Sequence, residues 1–317
     1  MTTPGPETVG ATPSCSVVIP VYKGEKTLPE LVERLGRVLP ELCSEYEVIL
    51  VNDGSPDRSW EVIRGLAETH AWVAGVNLTR NYGQHNALLC GIRAARSSTC
   101  VTMDDDLQHR PEEIGKLLAK LAEGYDVVYG LPIRLPHSLW RNLFSRLVKR
   151  LLSFVMGIPT LRDIGSFRAF RTDLRQAFVA YQNPNVILDV LLSWGTTSFG
   201  SIRVNEDPSA SAASTYSFGM LVKTALLLLT GYSTAPLRLA SQVGLLSTLF
   251  GVAIFGYVVI VYFTAGSVPG FPFLASIISV LSGVQLFTLG IFGEYLARMF
   301  DRSMDRPTYV VRQSTRP

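Results

Sequence analysis

Between residues 15 and 130, short unbroken apolar runs take turns with stretches whose apolar residues recur every three or four positions. The runs SVVIPVY (16–22), YEVILVN (46–52), VAGVNL (73–78), CVTMD (100–104) and DVVYG (126–130) read as strands. They are rich in Val and Ile and lack clean polar alternation, as strands do when both faces of a sheet are covered. The stretches between them predict helices at about 28–39, 58–69, 84–96 and 111–123. Pro111, followed by Glu112 and Glu113, suits a helix start, because the ring presets φ and negative charge favours an N-terminus. Strand–helix alternation of this kind predicts an α/β fold built on a doubly wound, mostly parallel sheet. No GxGxxG follows a strand, so a dinucleotide-binding version has no support.

The pattern changes near the C-terminus, where no charged residue occurs from Leu239 to Gly293. A bilayer core needs about 20 apolar residues per helix. The run therefore predicts two transmembrane helices, at about 239–263 and 271–293, joined by TAGSVPG. Both stretches are longer than a buried helical hairpin of a soluble core requires. Arg238 precedes the first span and Arg298, Arg302, Arg306, Arg312 and Arg316 follow the second, while the turn carries no basic residue. This asymmetry puts both ends on the cytoplasmic side of a plasma (inner) membrane. Residues 1–14 are polar, contain Pro and Gly, and read as a disordered tail without the features of a signal peptide. The expected plan is a cytoplasmic catalytic domain over 15–217, an interfacial helix over 218–238, the two spans within 239–293, and a cytoplasmic arm over 294–317.

From Leu131 to Arg162 there are six basic residues and no acidic one. Written as a helix at about 138–156, Trp140, Leu143, Phe144, Leu147, Leu151, Phe154 and Val155 share a face bordered by Arg141, Arg146, Lys149 and Arg150. That pattern fits a helix lying on a membrane surface, apolar side in the acyl boundary and cations among phosphates. An amphipathic helix packed on its own domain has the same pattern.

Composition removes several classes. A net charge of +3 gives no reason to expect nucleic acid. The four cysteines (Cys15, Cys43, Cys90, Cys100) show no CxxC spacing and read as buried thiols, and four histidines without an HxxxH pair give no zinc site.

In open α/β sheets, ligands bind beyond the carboxyl ends of the strands. Three polar clusters stand there: PVYKGE after the first strand, NDGSPD after the second and DDDLQ after the fourth. Ser55-Pro56-Asp57 has a plain alternative as a helix cap. The triplet Asp104-Asp105-Asp106 does not, since it lies too far upstream of Pro111 to cap that helix. Like charges so close repel and raise one another's pKa, and no Lys or Arg occurs in the preceding six residues. Mg2+ or Mn2+ on hard oxygen ligands is the expected compensation.

These segments, in this order, resemble the polyprenyl-phosphate glycosyltransferases of glycosyltransferase family 2: VVIPVYKGEKTL, VILVNDGSPDRS, NLTRNYGQHNALLCGI, MDDDLQHRPEEI, DIGSFRAF, two terminal spans and GEYLARMFDRSMDRPTYVV. The resemblance covers about 15–312, and RNYGQHNA is most similar to the undecaprenyl-phosphate aminoarabinose transferases within it. It implies a GT-A catalytic domain that moves a sugar from a nucleotide-sugar, with UDP the expected nucleotide, to a polyprenyl phosphate, with inversion. By motif, Pro20, Tyr22, Glu25 and Asp53 correspond to donor contacts. Asp104 and Asp106 correspond to the DxD, with Gln108 as a further metal ligand. Arg134, Arg141, Ser166 and Arg168 correspond to positions that hold the acceptor phosphate. Asp105 or Asp106 is a candidate for steering or deprotonating the acceptor. A homo-oligomer, a tetramer by resemblance, is expected, with the stretch after the second span as a packing or exchanging arm.

The chain departs from this pattern in three places. It has YKG where relatives generally show YNE, Asp105 where they often carry Ala, and SASAASTY at 209–216 where they commonly show Arg-x-x-Gly-x-Ser-Lys-Tyr. A processive polysaccharide synthase shares the catalytic fold, but its Gln-x-x-Arg-Trp motif and additional spans are missing. A non-catalytic membrane subunit is disfavoured by the intact Asp53, Asp104, Asp106 and Gln108.

Overall fold

The computed structural model describes residues 13–133, 165–183, 186–207, 235–266, 270–304 and 306–316. The first unit is built on strands β1 (Ser14–Val21), β2 (Glu45–Asn52), β3 (Val73–Leu78), β4 (Thr99–Thr102), β5 (Val127–Pro132), β6 (Arg168–Arg171), β7 (Phe199–Val204) and β8 (Val311–Ser314). They form one sheet in the order β7-β5-β6-β4-β1-β2-β3-β8. Helices α1 (Leu28–Leu42), α2 (Ser59–Thr69), α3 (Gln84–Ala94), α4 (Ile114–Ala122) and α5 (Leu188–Gly195) cover it.

The expected strand–helix alternation holds through β5. β1 is buried from Cys15 to Val21, and the core on one face gathers Val17, Ile19 and Val21 with Leu28, Leu31, Val32, Leu35 and Leu39 of α1. Those α1 residues recur at helical spacing, which is why that face packs and the opposite one stays wet. On the other face, Val18, Ile49 and Val51 pack against Ala87, Leu88 and Ile92 of α3.

The sheet is less parallel than the pattern predicts. β1–β2, β1–β4, β2–β3 and β5–β7 pair parallel, but β6 runs antiparallel to both β4 and β5, and β8 runs antiparallel to β3. β4 ends at Thr102 rather than at residue 104, so Met103 and the aspartates leave the sheet at once. Pro111 starts a 3-10 turn over Pro111–Glu113, and α4 follows it. All four cysteines are free and buried, as expected.

The second unit contains helices α6 (Ala235–Ala265) and α7 (Phe271–Ser303). Pro236–Val261 of α6 has a mean hydropathy of 2.3 and is long and apolar enough to cross a membrane. Leu245, Leu246, Phe250 and Tyr257 on α6, and Leu286, Phe287 and Phe292 on α7, are exposed. The helix expected at about 138–156 lies outside the described residues, as do residues 218–234 of the helix expected over 218–238, Arg134, Arg141 and residues 1–12, while residues 235–238 open α6.

Within the first unit, residues 306–316 pack on the sheet. Trp60 Nε1 donates to Gln313 Oε1 at 2.9 Å, Gly75 N–H donates to Thr315 Oγ1 at 2.8 Å, and Arg316 pairs with Glu47. Glu47 is buried, which raises its pKa, but Ser16 Oγ, Arg316 and the Arg96 N–H outweigh burial and hold it below the ordinary glutamate range. A lowered folded pKa stabilises above the unfolded value and is lost as pH falls through the folded one. Glu47→Gln should therefore destabilise by about 2 kcal/mol at neutral pH. Melting temperatures from about pH 7 to about pH 3 should show the difference from wild type closing on the acid side of the ordinary glutamate value near 4.3.

Candidate active site

The polar loops after β1, β2, β3 and β4 meet at one sheet edge, and side chains hold them together. Four successive backbone donors of the first loop each find an acceptor from another loop. Tyr22 N–H donates to Asp105 Oδ2 (3.2 Å), Lys23 N–H to Ser55 Oγ (3.2 Å), Gly24 N–H to Ser59 Oγ (3.0 Å) and Glu25 N–H to Asp57 Oδ2 (3.4 Å). In return Glu25 Oε2 accepts the Arg58 N–H at 3.1 Å, and Ser55 Oγ donates to the Val21 carbonyl at 3.3 Å. Lys23 takes φ +62, a left-handed conformation unusual for a side chain of this kind, and its ammonium lies over the Tyr22 ring at 5.4 Å. The N-cap position of α2 is Arg58, which makes no side-chain cap hydrogen bond, so Ser55, Asp57 and Ser59 serve another purpose. They build the wall of the first loop.

Asp53 is almost fully buried and joins the second loop to the third. Its Oδ1 accepts Tyr82 N–H at 2.7 Å and its Oδ2 accepts Gly83 N–H at 2.8 Å. Burial raises its pKa more than those two donors lower it. Gly54 beside it has φ +62, and a Cβ there would collide with the Arg80 backbone, so only glycine lets the loops approach this closely.

Each aspartate of the triplet has different neighbours. Asp104 Oδ1 accepts from Gln84 Nε2 and Oδ2 from Ser166 Oγ, both at 2.6 Å, while its backbone N–H donates to His109 Nδ1 at 3.1 Å. Asp105 turns back toward the first loop, and its pKa is pushed up to about 7, first by burial and then by Asp104 and Asp106, against the Tyr22 N–H. Asp106 is exposed and bonds within its own loop to the Gln108 N–H at 3.1 Å and to Gln108 Nε2. Leu107, at φ +63, reverses the chain so that Gln108–Arg110 runs back along Glu206 and Asp207. There His109 bridges Glu206, Asp207 N–H donates to the Gln108 carbonyl at 2.9 Å, and Arg110 Nε donates to Asp207 Oδ1 at 2.7 Å.

Glu206 escaped the sequence reading, although it lies three residues before the departing stretch at 209–216. Its carboxylate is 3.9 Å from His109 Nε2, and burial, with Asp106 and Asp104, raises its pKa against the opposing pull of His109. His109 also stacks on Phe167 at 5.1 Å.

The donor set fits a divalent cation. Among the described residues no three His, Cys, Asp or Glu side chains converge into a complete cage. Mg2+ and similar hard cations are commonly held by one or two carboxylates, with substrate phosphates and water filling the remaining positions. Asp104 and Asp106 supply such carboxylates, and Gln108 can add its amide oxygen after a half-turn of the amide, whose Nε2 now faces Asp106.

Arg168 requires a correction. It was expected at the acceptor phosphate, yet it is 2% exposed in β6, with its guanidinium paired to Asp189 and its Nε donating to Thr102 Oγ1 at 3.0 Å. Tyr129 OH donates to the same Asp189 Oδ1 at 2.9 Å. A buried guanidinium cannot leave its carboxylate without stranding both charges. Ser166, two residues earlier, is tied to Asp104 instead. Arg168→Ala should therefore lower unfolding free energy by about 3–5 kcal/mol in urea titrations, and the apolar pair Arg168→Met with Asp189→Leu should recover most of the loss.

Comparison with known proteins accords with this geometry. Residues 16–178 match the family described as glycosyl transferase family 2. An undecaprenyl-phosphate 4-deoxy-4-formamido-L-arabinose transferase of Pseudomonas aeruginosa is 36% identical over 306 residues, covering 95% of this chain and 90% of the relative. The protein of that name from Shewanella sediminis is 35% identical over 302 residues, covering 93% and 91%. In fold, the chain is similar to glucosyl-3-phosphoglycerate synthase from Mycobacterium tuberculosis, solved with Mn2+, UDP and glucosyl-3-phosphoglycerate. The TM-score is 0.52 at 17% identity, over 73% of this chain and 86% of that one. The family match, the near full-length relatives and the carboxylate-lined sheet edge identify the chain as a member of glycosyl transferase family 2 and as a glycosyltransferase.

Proposed function

We propose that the protein transfers a sugar from a nucleotide-sugar to a polyprenyl phosphate. The observation that carries this reading is the near full-length similarity to lipid-phosphate sugar transferases, in a chain whose three polar loops converge on the Asp104–Asp106 triplet. The donor is UDP-linked in this reading. Its nucleoside lies along the loops of Pro20, Tyr22, Glu25 and Asp53, and its diphosphate faces Asp104 and Asp106. A divalent cation held there, Mg2+ or Mn2+, would neutralise the charge that develops on the departing diphosphate.

The acceptor brings its own nucleophile. A phosphate monoester has a second pKa near about 6, so most of it is dianionic at neutral pH and needs little help from a base. One phosphate oxygen forms the new bond to the anomeric carbon while the bond from that carbon to the diphosphate oxygen breaks, and the electron pair leaves with the nucleoside diphosphate. In-line attack inverts the anomeric centre. The protein's part is to hold the two phosphates and the sugar in line and to exclude water. Asp105 is committed to the Tyr22 N–H rather than free at the acceptor side, which leaves Asp106 or Glu206 for any steering of the acceptor.

A lipid acceptor fits the rest of the chain. α6 gives one membrane span, the apolar part of α7 a second in this reading, and the basic stretch at 138–156 lies on the membrane surface. Arg134 and Arg141 are the proposed contacts of the acceptor phosphate, since a planar guanidinium can hold two phosphate oxygens at once. Catalytic domain and termini face the cytoplasm, and the protein works as a homo-oligomer.

Two outcomes test the proposal. Membranes containing the protein, incubated with UDP-sugars and polyprenyl phosphate, should yield a glycosylated lipid phosphate by mass spectrometry. The yield should fall roughly 100-fold or more with excess chelator or in Asp106→Ala. Arg141→Ala should cripple transfer while leaving donor affinity within a few-fold. Equal loss of both would move Arg141 to the diphosphate.

A further inference from the structure

The first loop's backbone donors are held by three oxygens from the β2–α2 loop and the first residue of α2, and by one from elsewhere, Asp105 Oδ2. That bond ties the loop carrying Tyr22 to the loop carrying Asp104 and Asp106. The room for the Asp105 carboxylate exists because residue 24 has no side chain. A Cβ at Gly24 would lie 2.6 Å from Asp105 Oδ2 and 3.0 Å from Val21 Cγ1. Gly24 has no left-handed φ that would otherwise require glycine. Space for the neighbouring carboxylate is therefore the reason for a glycine at this position.

We propose that Asp105 and Gly24 form an interlocked positioning pair that sets the nucleotide loop against the metal-binding loop, so that Asp105 governs donor affinity rather than acceptor activation. The assignment rests on the donor reading of this edge given above. Asp105 acts through the Tyr22 backbone. It is a positioning residue, and its loss should appear in the donor KM more than in kcat. Its neighbours Asp104 and Asp106 have other partners, Gln84 and Ser166 for the first and Gln108 for the second, so neither can replace it at the Tyr22 N–H.

A double-mutant cycle on the full-length protein in detergent tests the pair, with calorimetric binding of UDP in the presence of Mn2+ as one readout and the melting temperature without nucleotide as the other. Gly24→Ala and Asp105→Ala should each weaken UDP binding about tenfold, the first by displacing the carboxylate and the second by removing it. In the Asp105→Ala background, Gly24→Ala should have no further effect on either readout. Asp105→Asn retains an oxygen for the Tyr22 N–H and should bind UDP within about threefold of wild type, which separates the hydrogen bond from the charge. Additive losses in the double variant would overturn the interlock. So would an Asp105→Asn variant as weak as Asp105→Ala. If the wild-type protein fails to bind UDP, the UDP reading falls. The interlock is then decided by the melting temperatures alone, where additive shifts would overturn it.

Discussion

Crowding of negative charge at one sheet edge is the constraint to which the rest of the site responds. Asp104 and Asp106 lie near enough to help raise the pKa of both Asp105 and Glu206, and among the described residues no lysine or arginine hydrogen-bonds to any of these four carboxylates. Each is compensated locally in a different way: by amide and hydroxyl donors, by a backbone N–H, by a glutamine, and by an imidazole. The amide, hydroxyl and backbone donors are uncharged, so they restrain Asp104 and Asp106 without cancelling their charge. The field that a divalent cation and a diphosphate would meet therefore remains largely intact. A lysine in the same place would have stabilised the loop and weakened its hold on a metal.

The scaffold transmits that constraint inward. Asp104 follows β4 after Met103 alone, and Thr102 in β4 donates through Oγ1 to the Ser166 carbonyl at 2.8 Å while accepting from Arg168. Ser166 in turn reaches Asp104. The buried Arg168–Asp189 pair thus fixes the strand beneath the site, although both residues are withdrawn from the surface. Burial of this kind gives rigidity at a high penalty for any imperfect substitution.

Much of this was legible in the sequence, because β1 to β5 and α1 to α4 follow hydrophobic periodicity and the triplet announces itself by charge. β6 was not, since RAFR carries a buried arginine that reads as surface, and β8, VRQS, is exposed and polar. The reversal of β6 made the sheet mixed, and no pattern of apolar residues encodes strand direction. Glu206 was missed because its neighbour His109 is distant in sequence and meets it only through the turn at Leu107. Two departures noted in the sequence, Gly24 and Asp105, looked unrelated until the fold placed one in the space left by the other. Short-range patterns predict elements, while pairings across loops have to be seen.

The edge strand β8 also bears on how the molecule is made. It pairs with β3, which leaves the ribosome more than two hundred residues earlier. At synthesis rates of about 5–20 residues per second, the open edge of β3 waits on the order of tens of seconds for its partner. An unpaired edge is a template for association with other chains. During that interval the apolar helices must also find their own environment. The sheet is therefore finished last, by residues beyond both helices, and a nascent chain that stops short of them exposes an edge to whatever strand arrives first.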